Sequence, residues 1–181
     1  NDAGLGEPGA VQRLKASRQH VVELGHDVRT GPAAPGLPTG MLAQYGYRIT
    51  VPEGWAHTGG LPERRRSLLT PPAAPDGSDL IAVESTPLGY DAGAEPARAA
   101  AELRAEFDAA GPDLTAYDPA ARFGGRPVTA YRERDGATEV RWYVVLDGAS
   151  QLSVGCRHTP AGRDTVLVAC EQVVASIRSD R

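Results

Sequence analysis

The side chains able to do chemistry are few and scattered. The 181-residue chain has two cysteines, Cys156 and Cys170, and four histidines, His20, His26, His57 and His158. A thiolate beside an imidazole is a nucleophilic pair when a third group orients the base. Cys156 and His158 lie two apart in one extended run, so both point the same way and the spacing supplies no third group. A structural zinc wants four ligands, usually as short paired spacings. Here Cys156, His158 and Cys170 would need a fourth from distant His57 or from the N-terminal histidines. His20 and His26 are six apart and do not share a helix face. There is no H-E-x-x-H, no G-x-S-x-G elbow, no Walker loop and no G-x-G-x-x-G. Glu133, Asp135 and Glu139 gather at a hairpin without the pattern of a calcium loop, and read as a solvated turn. The residues point to no enzyme, no metal and no cofactor.

The elements that must position the cysteines can be read from periodicity. The run 138–156, TEVRWYVVLDGASQLSVGC, reads as two strands joined at Asp147-Gly148, a tight-turn signal. Asp135-Gly136 repeats the device, so strands near 127–134, 138–147 and 150–157 form an antiparallel meander. Val140, Trp142, Val144 and Leu146 make one apolar face, and Tyr143 and Val145 line the other. A strand apolar on both sides lies inside a covered sheet. Upstream, residues 46–51 alternate as a half-buried strand that Pro52 stops, and Trp55 folds back onto the core. Short strands follow at 67–70 and 80–86, the first taken as an exposed edge. Ala99, Leu103, Phe107 and Ala110 form one helical stripe that opens at Pro96 and stops at Gly111-Pro112, with Glu106 off the stripe. Residues 113–122 read as a loop. Val166, Cys170, Val173, Val174 and Ile177 mark a last helix over 164–179. The class is α+β: an antiparallel sheet of five to six strands flanked by helices. Residues 1–44 read as an N-terminal extension with a Pro/Gly-rich linker at 31–40, holding either a helix or a short strand within 11–24. Residues 45–181 form the α+β domain.

This frame gives the cysteines two readings. Cys156 ends a meander strand, and Cys170 sits on the apolar stripe of a helix that must pack on the sheet. They therefore meet as one disulfide or are buried as separate thiols; the bond would stabilise by ~3 kcal/mol for a loop of about 15 residues. The run Arg64-Arg65-Arg66 is a charged loop guarding an edge strand or a docking patch for a partner.

Composition narrows the partners. The formal charge of −4 does not supply the basic face that nucleic acid requires. No window reaches ~18 consecutive apolar residues, the length of a membrane span. The chain opens on Asn1, which reads as a processed product or a piece of a longer protein.

Two stretches resemble known sequences. Y-R-I-T-V-P-E-G-W at 47–55 is similar to the entry strand of the PsbP-like superfamily. R-F-G-G-R-P-V-T-A-Y-R-E at 122–133, V-R-W-Y-V-V-L-D-G at 140–148, Q-L-S-V-G-C at 151–156 and C-E-Q-V-V-A-S-I-R at 170–178 together resemble the C-terminal domain of the actinobacterial type VII secretion-associated protein family. The resemblance spans roughly 45–179. It implies a PsbP-like sandwich held outside the cytoplasmic membrane by a segment that precedes it in longer members. It implies a non-enzymatic accessory domain whose partners are type VII secretion components or other envelope proteins. It carries no catalytic residues. Cys156 and Cys170 suit that oxidising setting. A second expectation is a ligand-binding module for an envelope lipid or glycan fragment, held between sheet and helix.

Overall fold

The computed structural model describes residues 40–180. The segment at 11–24, His20 and His26 lie outside the described residues. In chain order the elements are β1 (Met41–Gln44), β2 (Tyr47–Thr50), β3 (Ala56–Leu61), a 3-10 turn (Pro62–Arg64), β4 (Arg66–Thr70) and β5 (Leu80–Pro87). Helix α1 (Pro96–Ala109) follows, then β6 (Leu114–Phe123), β7 (Arg126–Asp135), β8 (Thr138–Asp147), β9 (Ser150–His158), helix α2 (Arg163–Ser176) and β10 (Arg178–Ser179). Seven strands form one sheet in the order β3-β4-β5-β9-β8-β7-β6, and three form a second in the order β1-β2-β10. The pairings are antiparallel. The α+β class holds. The expected five to six strands become ten among the described residues, because four strands carry no apolar alternation of their own.

Each of those four is defined by a neighbour. Residues 113–122, expected as a loop, contain β6, which pairs with β7 through two register breaks between Thr115 and Ala121. Bulges and Pro119 suit an edge position. Strand β3 pairs with β4 across a register shift between His57 and Gly59. Its presence moves the Ser67 strand inside the sheet, so the expected exposed edge at 67–70 is corrected. Met41–Gln44, assigned to the extension, is instead hydrogen-bonded to β2 with Leu42 buried. The last helix ends at Ser176 rather than 179. Ile177 is extended, and Arg178–Ser179 returns as a strand against β2.

The large sheet is covered on both faces. On one side α1 lays Leu103 and Phe107 over Leu68, Leu80, Ala82, Tyr131, Val140, Trp142 and Val144. On the other, α2 and β2 cover Ile81, Val83, Tyr143, Val145, Val154 and Cys156. Strand β8 therefore has two buried faces, as its sequence implies. Each aliphatic side chain buried this way contributes about 1.5–3 kcal/mol of transfer free energy. Trp142 needs room that β9 supplies: a Cβ at Gly155 would lie 2.8 Å from the indole, so the neighbouring strand is bare there. Glu106 is fully buried rather than off the stripe. It falls three residues after Leu103, on the same helix face.

Candidate functional site

The cysteines meet. Cys156 on β9 is bonded to Cys170 on α2, with Cα atoms 6.2 Å apart. Both are buried in the larger core cluster, among Ile81, Val154, Val166 and Val173. The helix stripe at Val166, Ala169, Cys170, Val173 and Val174 repeats at three- and four-residue steps, which turns Cys170 inward as packing requires. The bond thus fixes the position of α2 along the sheet.

The arginine run is split by the fold. Arg64 ends the 3-10 turn. Arg65 is exposed and left-handed at φ 51°, and its N–H donates to the Pro62 carbonyl. Arg66 starts β4 opposite Glu84 and is 0% exposed. A contact surface built on this run therefore comprises Arg64 and Arg65 alone. Beyond it, the Ser67 hydroxyl donates to Gln44 Oε1 at 2.9 Å and shares a 2.6 Å hydrogen bond with the Tyr47 hydroxyl. These bonds tie the small sheet to the large one.

Trp55 does fold back. Pro52 ends β2, and the Trp55 N–H donates to the Pro52 carbonyl at 3.0 Å, closing a turn. Gly54 sits at φ +80° in that turn, a conformation costly for a residue with a Cβ. The indole packs half-buried against the larger core cluster. Its remaining surface, with Pro52 and Glu53, faces Asp164, Thr165, Val168, Ala169 and Gln172 of α2 across an open groove of about 440 Å³. Val168 is 61% exposed, the exposed large hydrophobic side chain among the described residues. The sequence placed Trp55 near the core but gave no sign that α2 would stand beside it.

A second, smaller concavity of about 200 Å³ lies where β6 leaves its register with β7. Ala116, in left-handed conformation at φ 57°, and Asp118 form one wall; Ala130, Arg132, Arg141 and Tyr143 are among the others. Arg132 and Arg141 are directly opposite each other across β7 and β8. Like charges at such a pair repel, and Glu139 lies between them at 3.7 and 3.5 Å. Burial pushes the Tyr143 hydroxyl above its ordinary range, with Arg141 opposing. The Tyr143 ring stacks on Phe123 at 4.2 Å. Treating 113–122 as a loop hid this site.

Several other titratable groups are buried or half-buried. Glu133, expected at a solvated turn, is buried and accepts a hydrogen bond from Trp142 Nε1 at 3.3 Å. Tyr131 is held far above its ordinary range, by burial first and then by the charges of Glu133, Glu106 and Glu84. His57 is half-buried, and loss of water lowers its pKa. His158 Nδ1 lies 3.0 Å from the Thr159 carbonyl. Among the described residues no group of three or more His, Cys, Asp or Glu is placed to hold a metal ion, and no helix is long and apolar enough to cross a membrane.

No protein-family model matches the chain, and no curated protein does. Solved structures do. A protein from Bacteroides thetaiotaomicron VPI-5482 superimposes with a TM-score of 0.50 at 10% identity, over 75% of this chain and 46% of that one. The chain thus spans about half the length of that protein. LpqN, involved in cell envelope biogenesis of Mycobacterium tuberculosis, gives 0.48 at 14% identity over 85% and 92% of the two chains. Cyanobacterial PsbP (CyanoP) from Synechocystis sp. PCC 6803 gives 0.45 at 16% identity over 82% and 98%. At such identities the likeness is one of fold.

Proposed function

We propose that this chain is a non-enzymatic, extracytoplasmic accessory domain of a type VII secretion-associated envelope protein, acting through protein–protein contacts. The Cys156–Cys170 bond carries the location, since such bonds persist in oxidising compartments and are rare in a reducing cytosol. The contact reading is supported by an open surface groove walled by helix and turn. The type VII association rests on the sequence resemblance at 122–133, 140–148, 151–156 and 170–178. The test is co-purification of the membrane-anchored full-length protein after crosslinking in the cell. Recovery of secretion components is expected; their consistent absence overturns the association.

The concavity at Arg132, Arg141 and Tyr143 favours a second reading, a ligand-binding module for the acidic group of an envelope lipid or glycan fragment. Chemical-shift changes confined to those residues, on adding a short-chain anionic phospholipid or an acidic glycan fragment, would select it. Their absence leaves the contact reading.

A further inference from the structure

We propose that the groove between the 52–55 turn and α2 is the contact surface itself, and that it takes a partner protein's segment with an apolar side chain flanked by Lys or Arg. The inference rests on the protein-contact reading and names its site.

Three observations carry it. Val168 stands exposed at 61% beside the half-buried Trp55, with Pro52 and Ala169 completing an apolar floor. Contacts of this kind centre on an aromatic anchor inside a polar rim. Both walls are stiff before binding: α2 is bonded to β9 through Cys170, and the turn is closed by the Trp55 N–H. A preformed surface loses less freedom on binding. The charged residues lining the groove, Glu53 and Asp164, are both acidic. Neither forms an ion pair among the described residues. Their field favours a basic-flanked guest and repels an anionic lipid or acidic glycan. It also disfavours a two-fold contact of this groove with a second copy, which would bring the same carboxylates face to face.

The test uses the full chain and a displayed random-peptide library. Selected peptides are expected to share an apolar residue with Lys or Arg nearby. Val168→Glu and Trp55→Ala should each weaken the best peptide about tenfold or more. Glu53→Lys with Asp164→Lys should reverse the preference toward Glu-flanked peptides, which a general loss of folding cannot do. Unchanged affinity in Val168→Glu, or peptides without basic residues, overturns the proposal. In cells, a photo-crosslinking residue at 168 should capture a partner that one at 65 does not. Capture at 65 alone overturns the groove and spares the contact reading, whereas capture at neither overturns both. A crosslink from 168 to a second copy or to residues 1–39 of the same chain also overturns it.

Discussion

Removing the Cys156–Cys170 bond should weaken the fold by a calculable amount. The two residues are 14 apart in sequence. Opening a loop of that size returns ~3 kcal/mol of chain entropy to the unfolded state. Both positions are 0% exposed, so Cys156→Ala with Cys170→Ala also empties two packed sulfur sites and adds about 1 kcal/mol. With a urea slope of about 2 kcal/mol per molar, the midpoint should fall by roughly 1.5–2 M. The thermal midpoint should drop by about 6–16 °C. The wild-type chain in reducing buffer, which keeps its sulfurs, should show most of this loss. Urea unfolding of the three samples, followed by tryptophan fluorescence, measures it. A reduced chain whose midpoint stays within about 0.2 M of the oxidised one refutes the argument. The cross-link would then restrain nothing that unfolding releases.

Gly155→Ala should cost about 1–3 kcal/mol, because the added methyl meets Trp142 ring atoms at 2.8 Å; a thermal midpoint equal to wild type contradicts the packing. Arg126 Nη1 donates to the carbonyls of Val174 and Ile177 at 3.2 and 2.6 Å, at the end of α2. Arg126→Met should cost about 1–2 kcal/mol, and hydrogen exchange should show the last turn of α2 opening faster. Burial raises the hydroxyls of Tyr47 and Tyr131 above their ordinary range, so the folded chain holds these protons longer than the unfolded one. Their contribution is complete below about pH 10 and declines as pH rises past it. Urea midpoints from about pH 8 to about pH 11 should fall at the alkaline end, less steeply in Tyr47→Phe; a flat profile is the contrary result.

What the sequence disclosed followed from patterns that a segment carries by itself. Strand β8 announces its central place because both its faces are apolar, and α1 announces its length through Pro96, its stripe and Gly111-Pro112. The burial of both cysteines was legible from a strand end and a helix stripe, while the choice between a disulfide and two separate thiols waited on the structure. Strand β6 was not legible, since its chain AYDPAAR takes its strand pairing from β7 alone, and β3, with His57 and its glycines, shows no alternation. From the omission of β3 came the misplaced edge at Ser67 and an Arg66 counted as surface. The groove was half legible. Trp55 was placed on the core, but Val168 matters only because α2 lies beside the turn, a relation no local period encodes.

The order of the seven-stranded sheet divides it into two meanders, β3-β4-β5 and β9-β8-β7-β6, which touch only where β5 meets β9. Within each half the partners are neighbours in the chain. At the seam, Leu80 pairs with Arg157 and Pro87 with Ser150. Folding can therefore build each half from short loops, while joining them must close a loop that contains all of α1. Long loops of this kind set the pace of assembly. Until the seam closes, β5 and β9 each present a bare, apolar edge. The stability of the finished domain says little about this vulnerable interval, which places its aggregation risk early, during folding, rather than in the mature fold.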